Sequence, residues 1–441
     1  MTKAKAILTP EAAASGALPR RFIVAATVGN ALEFYDFITY TFFAIQIGHA
    51  FFPSTSAYGS LMLSLATFGA GFITRPIGAV IIGAYADRVG RRAAMMLSLT
   101  MMGAAIILLA LTPTYRQIGV AAPILAVLAR MAQGFSLGGE VGPTTAYLLE
   151  AAPVHRRGLA VAWQGASQGV AGALGALAGF ALSTLMTPAA LDAYGWRIAF
   201  LLGAVALPFG LWIRRGLPET LHLADPTAAV SSPHKGFALI RAHARIITLT
   251  LFVLASGTIG TYVVTYMTTF AQDALHMTPS LSLLAGVLGS AASVASGIYG
   301  GWLCDRIGRR PLLIWPNLAY LLIVLPIFFW IIAARTALAL LVGTAALGFF
   351  RGLAAGAFYA TVLEALPKHI RSGVLATVYA IAIATFGGTT QLVVTWLIKI
   401  TGSPMAPAWY MFAALAVGQV AYVLMSARPK TIVPLPAEAL P

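Results

Sequence analysis

Long apolar runs follow one another along the whole chain, separated by short clusters of polar and basic residues. Each run reaches about 20 residues, enough at 1.5 Å per residue to cross a hydrocarbon core of about 30 Å. In lipid such runs must be helices, because an unclosed strand leaves backbone groups unpaired. Twelve spans fit the pattern, at roughly 22 to 49, 58 to 86, 93 to 113, 121 to 150, 157 to 185, 196 to 214, 246 to 270, 281 to 304, 311 to 332, 337 to 365, 372 to 399 and 407 to 427. The first run is too long for a signal-peptide core and carries Glu33 and Asp36, so it reads as a retained span. The longest polar interruption, 215 to 245, holds Pro218, Pro226 and Pro233 and divides the spans six and six. The expected organisation is a tail over 1 to 21, a six-helix bundle over 22 to 214, a linker over 215 to 245, a second bundle over 246 to 427 and a tail over 428 to 441.

Composition agrees with that pattern: 59% of the 441 residues are hydrophobic and 9% charged. A net charge of +15 would suggest nucleic acid in a soluble protein, so the placement of each Lys and Arg decides its meaning. Most of the 28 fall in loops on the side that carries both termini. The opposite side receives Arg116, Arg197, Arg335 and Lys399, while Arg75, Arg130 and Arg351 fall inside spans. By the positive-inside rule both termini are cytoplasmic, the charge is an orientation signal and nucleic acid is not a partner. Cys304 is the single cysteine, so an intrachain disulfide is excluded, and the seven histidines have no metal-ligand spacing. No metal site is expected, and no nucleophile and base pair suggests an enzyme.

Two motifs recur. Gly83-x-x-x-Asp87-Arg88-Val89-Gly90-Arg91-Arg92 returns 218 positions later as Gly301-x-x-x-Asp305-Arg306-Ile307-Gly308-Arg309-Arg310. Glu150-x-x-Pro153-x-His155-x-Arg157 returns 214 positions later as Glu364-x-x-Pro367-x-His369-x-Arg371. Two unrelated patterns at nearly one offset mark the halves as related copies. The motifs resemble the signature loops of the major facilitator superfamily, and the resemblance covers nearly the whole chain. It implies an all-α membrane protein of twelve transmembrane helices in two pseudo-symmetric six-helix bundles. Gly29-Asn30-x-Leu32-Glu33-x-x-Asp36-Phe37, Arg75-Pro76-Ile77-Gly78 and Arg130-x-x-Gln133-Gly134-Phe135-Ser136 resemble the metabolite:proton symporters within it, and in appearance their citrate and tricarballylate branch. Drug and proton antiporters carry Gly-Pro on the fifth span, whereas here Gly165, Gly169, Gly172, Gly175 and Gly179 occur with no proline among them.

Candidate chemistry follows from the ionisable residues inside spans, each of which needs a partner or a wet cavity. Glu33 and Asp36 lie about 16 and 21 Å into the first span, and Arg130 about 14 Å from the opposite end of the fourth, so all three approach the midplane. Neighbouring carboxylates at low dielectric resist being charged together, as a proton carrier requires. Arg130 stays cationic and can pair with an empty carboxylate or with a substrate anion. The competing reading is a permanent buried pair that only fixes packing. Sugar porters of the superfamily resemble this arrangement, with an acid on the first span and an arginine on the fourth linked to coupling, which supports Asp36 over Glu33.

Arg75, about 25 Å into the second span, is placed toward the cytoplasm, where bracing a gate and touching substrate are equally open. Arg351, about 21 Å into the tenth, is a second anion contact or a packing residue. Glu140 lies roughly 80° around the helix from Arg130, and no role follows for it. Gln164 and Gln168 suit carboxylate oxygens or serve as glue between helices. Asn30, Gln133, Tyr262 and Tyr359 complete the substrate-binding candidates, with Tyr266 and Tyr379 weaker. The duplicated loops read as gates: Gly83 permits a close approach, Asp87 faces a helix N-terminus, and Arg88, Arg91 and Arg92 pair with Glu150 and Glu364. Gly90, Arg157, Asp305, Arg306, Gly308, Arg309, Arg310 and Arg371 belong to the same gates. The resemblance implies a symporter for a small anionic metabolite, driven by the proton gradient with no cofactor. Its surroundings are the lipid bilayer of the cell membrane, with no obligate protein partner expected. The branch points to citrate or a related tricarboxylate; other members of the wider family carry dicarboxylates, shikimate or osmolytes. An efflux antiporter or a transport-like sensor is the remaining alternative.

Overall fold

The computed structural model describes residues 20–138, 145, 148–149, 152–215, 244–365, 375 and 377–426. Most of the 215 to 245 linker, Glu140, Glu150 and Arg371 lie outside these residues, as do the side chains of Glu33, Asp87, Arg91 and Arg92. Among the described residues the chain is helical. Ten helices are long and apolar enough to cross a membrane: Ala57–Tyr85, Ala93–Leu111, Arg157–Leu185, Pro188–Trp212, Ala244–Asp273, Pro279–Ile307, Arg309–Ala334, Ala337–Val362, Thr377–Thr401 and Ala406–Met425. The first span adds Arg20–Phe42 and Ala44–Phe51, and the fourth adds the shorter apolar helix Ala121–Leu137. The order reproduces the twelve apolar runs, and ordinal numbers below refer to it.

The repeated motif shapes the turns between paired spans. Gly90 has φ +124° and Gly308 φ +91°, and each ends one helix and starts the next. An L-residue with a Cβ is strained at such angles, so glycine in both copies follows from backbone sterics. These turns define the motif face of the molecule; the other end is the far face.

Two of the breaks inside spans fall beside arginines. The second span is interrupted at Thr74, between Ala57–Ile73 and Arg75–Val89, because Pro76 has no N–H to continue the ladder. Thr74 Oγ1 donates instead to the carbonyls of Gly71 at 3.2 Å and of Met131 at 2.7 Å, which ties the break to the fourth span. The tenth span breaks at Ala354, three residues after Arg351. The eleventh carries a π-turn over Ile383–Gly387.

Glycines set how closely helices approach. A Cβ on Gly134 would lie 1.5 Å from the Gly71 carbonyl oxygen, and one on Gly78 would lie 1.9 Å from that of Phe135. The second and fourth spans are therefore in backbone contact, a packing driven by fit because lipid supplies no hydrophobic drive between helices. The fifth span lies along the eighth over its whole length. Cβ positions at Gly158, Gly169, Gly172 and Gly179 meet Gly301, Val294, Ser290 and Leu283 in turn. A second seam joins the second span to the eleventh, where a Cβ on Gly69 would lie 2.8 Å from the Gly388 carbonyl oxygen.

Among the described residues nothing lies within 4 Å of a Cβ built on Gly83. On its duplicate Gly301 a Cβ would lie 2.5 Å from Ala162 Cβ and 2.9 Å from the Gly158 carbonyl oxygen.

Candidate functional site

The first, second and fourth spans bring their charged residues to one aromatic cluster. Phe37 and Tyr40 project from the first span, Phe68 and Phe72 from the second, and their rings meet at centroid distances of 4.7 to 5.8 Å. Tyr262 of the seventh span joins from the other half, 5.5 Å from Phe72 and 5.9 Å from Phe68. Two guanidinium groups stand on these rings. Arg130 lies 4.4 Å from the Phe37 centroid and 4.5 Å from that of Tyr40, while Arg75 lies 4.3 Å from Phe37 and 4.4 Å from Phe72. Cation–π attraction of about 2 kcal/mol at a desolvated ring offsets part of what burial costs each charge.

Asp36 is 1% exposed, with Oδ2 at 3.9 Å from Arg130 Nη1, and Arg130 is wholly buried. That distance is an ion pair without a hydrogen bond, and neither oxygen of Asp36 has a hydrogen-bond partner among the described residues. Arg130 Nη1 donates to Gln133 Oε1, whose amide nitrogen is itself unpartnered there. The pair is thus loose, and each member keeps capacity for another partner.

Asn30 and Gln164 lie behind it, between the first and fifth spans. Gln164 Nε2 donates to Asn30 Oδ1 at 3.2 Å, Asn30 Nδ2 donates to Ser167 Oγ at 2.6 Å, and Ser167 donates to the Gln164 carbonyl at 2.8 Å. The two candidates are tied to each other, as interhelical glue would be, while Gln164 Oε1 is buried with no hydrogen-bond partner among the described residues. Gln168 lies one turn on, beside Tyr379.

Arg351 lies apart from this cluster. Its Nη1 donates to Thr261 Oγ1 at 3.2 Å and its Nη2 to Ser293 Oγ, from the seventh and eighth spans. It lines a cavity of about 20 Å³ with Thr265, Gly289, Thr344 and, from the other half, Phe42. That volume holds about one water. Tyr359 is near Arg351, partly buried, with its ring 5.2 Å from Phe358.

At the motif face the halves are held by charge. Asp305 accepts from the backbone N–H groups of Gly158 at 2.7 Å and Leu159 at 2.8 Å. The fifth span starts at Arg157, so this carboxylate caps the free donors of a helix N-terminus. Glu364 receives Arg309 at 2.9 Å and lies 3.9 Å from Arg157. Arg88 and Arg310 are exposed, and Arg306 rests 4.1 Å from the Trp302 ring. Glu364 therefore meets Arg309 and Arg157, and Arg88 is not its partner. At the far face Thr269 Oγ1 donates to the Thr41 carbonyl at 3.4 Å, so the halves touch near both ends.

Counting residues puts the Arg75 backbone on the motif-face side of its span, with gate and substrate roles equally open, and helix side chains lean back toward the N-terminal end of their helix. The guanidinium consequently reaches the same Phe37 ring as Arg130. The aromatic cluster and the hydroxyls of Ser167, Thr261 and Ser293 escaped sequence reasoning. Phe37 with Tyr40 and Phe68 with Phe72 are spaced three and four apart, but among 23 Phe and 15 Tyr that spacing is not distinctive.

The Major Facilitator Superfamily model matches residues 26–387. The chain is 36% identical over 412 residues to the citrate-proton symporter of Salmonella typhi, covering 92% of this chain and 94% of that one. It is 37% identical over 395 residues to the citrate-proton symporter of Klebsiella pneumoniae, covering 89% of each. Its fold is similar to that of the xylose transporter XylE from E. coli in a partially occluded inward-open conformation, with TM-score 0.72, 15% identity, and coverage of 92% and 96%. Twelve helical spans, a duplicated loop motif and relatives that are transporters rather than enzymes agree, and the chain is a multi-pass membrane protein that belongs to the Major Facilitator Superfamily.

Proposed function

We propose that this protein is a proton-coupled symporter that imports citrate or a related tricarboxylate across the cell membrane. The observation that carries the reading is the buried Arg130, which has Asp36 at 3.9 Å without a hydrogen bond as its carboxylate neighbour among the described residues. Similarity to two citrate-proton symporters supports the substrate class and the coupling ion. Asp36 is the proton carrier. When charged it holds Arg130; when protonated it releases the guanidinium to a substrate carboxylate. Each ligand so changes the other's affinity, which is the reciprocal coupling that symport needs.

Alternating access follows from the two units, 22–214 and 246–427, rocking about the central site. Asp305 on the fifth-span N-terminus, with the Glu364, Arg309 and Arg157 cluster, is the inner gate. The excess of Lys and Arg on the motif face puts that face and both termini in the cytoplasm. Arg351 is a contact from the second half that draws the halves together around the anion. Radiolabelled citrate uptake into proteoliposomes tests the reading. Accumulation is expected with an inward proton gradient and only equilibration without one; equal uptake of every di- and tricarboxylate under both conditions would remove the coupling.

A further inference from the structure

Around the Phe37 ring stand two buried cations and, among the described residues, one carboxylate. Asp36 faces Arg130. Arg75 is 3% exposed and has no carboxylate partner among those residues. Its guanidinium carbon lies 4.3 Å from the Phe37 centroid and 4.4 Å from that of Phe72, and the two rings are themselves 4.7 Å apart, so it rests in the corner that they form. Nε and Nη2 of Arg75 are both buried and without a hydrogen-bond partner among the described residues, and the same two atoms of Arg130 share that condition. In each residue these nitrogens form one edge with parallel N–H bonds, the spacing that receives both oxygens of one carboxylate.

A buried cation with an empty bidentate edge is costly unless something completes it. A residue retained only for packing would have its buried donors met by carbonyls or hydroxyls, as Nη1 of Arg197 is by the carbonyls of Ala110 and Thr112. Arg75 lacks such a partner, and it sits where Tyr262 of the other half closes against Phe72. Two empty forks that share one aromatic ring suit a ligand with two carboxylates a few bonds apart.

We infer that Arg75 binds substrate: one carboxylate of the anion takes the Nε and Nη2 edge of Arg130, and a second takes that of Arg75. This makes the first bundle alone a selector of di- and tricarboxylates against monocarboxylates, and moves Arg75 from the gate to the site. The inference rests on the carboxylate-symport reading for the identity of the anion.

Isothermal titration of the purified full-length protein with citrate, succinate and succinamate, the monoamide of succinate, tests it without any gradient. Wild type is expected to bind succinate at least about tenfold more tightly than succinamate, the value of a charge-assisted hydrogen-bond pair. Arg75→Gln is expected to weaken citrate and to reduce the succinate preference to about threefold or less. Arg75→Lys, which keeps the charge but loses the fork, is expected to fall between, and serves in its place if the glutamine variant is not monodisperse. A folded variant that keeps the full preference overturns the inference and leaves the symport reading standing. Wild type that binds no carboxylate overturns both.

Discussion

Asp36 and Arg130 are each too polar for their surroundings, and each is tolerated because of the other. Removing one member of a buried pair costs about 3–5 kcal/mol, since the remaining charge is left unpaired. Asp36→Asn is therefore expected to lower the thermal midpoint of the purified protein, and citrate is expected to recover part of the loss by supplying a carboxylate to the Nε and Nη2 edge of Arg130. In vesicles the same variant should lose gradient-driven accumulation while exchanging internal for external citrate. Unchanged accumulation would remove Asp36 from coupling. Both residues stood out in the sequence because an ionisable group within an apolar run is anomalous whatever the fold. Arg75 was equally visible, yet its role was not, because the break at Thr74 and the backward lean of its side chain exist only in three dimensions. The hydrogen bond between Gln164 and Asn30 was equally hidden, since polar residues at midplane depth look alike in sequence whether they face a ligand or one another.

Between elements, the distinction that matters is which glycines carry a contact. Gly134→Ala drives a methyl group into the Gly71 carbonyl oxygen and is expected to cost about 1–3 kcal/mol or more in stability, as overpacking does. Gly257→Ala meets nothing within 4 Å and should leave the thermal midpoint unchanged or slightly raised, since alanine favours the helix. Comparing the two midpoints separates backbone contact from helix propensity. The glycine content of the fifth span announced close packing from its spacing, but the partner was hidden; the eighth span is more than a hundred residues away along the chain. The loop motif was legible as a repeat, and its Asp as an acid with no topological purpose. The contacts of the second copy, at Gly301 and Asp305 with the start of the fifth span, follow from how the halves meet, which no local pattern encodes.

For the whole molecule, the two-bundle plan was readable because hydropathy counts spans, basic residues orient them, and the duplicated motifs relate the halves. The seam between halves depends on the state the molecule adopts. Cys304, the single cysteine, is buried on that seam, 3.1 Å from a Cβ placed on Gly158, and so reports on its opening. Asp305→Ala removes the acceptor of the two N–H groups at the start of the fifth span and should speed maleimide labelling of Cys304 several-fold. An unchanged labelling rate would take Asp305 out of the gate.

The central claim, that citrate and protons move together through this protein, is tested most directly by a pH-sensitive dye inside voltage-clamped proteoliposomes. Citrate added outside, with no pH gradient imposed, is expected to acidify the lumen in wild type and not in Asp36→Asn. Entry of radiolabelled citrate with no acidification, or with alkalinisation, would contradict the account.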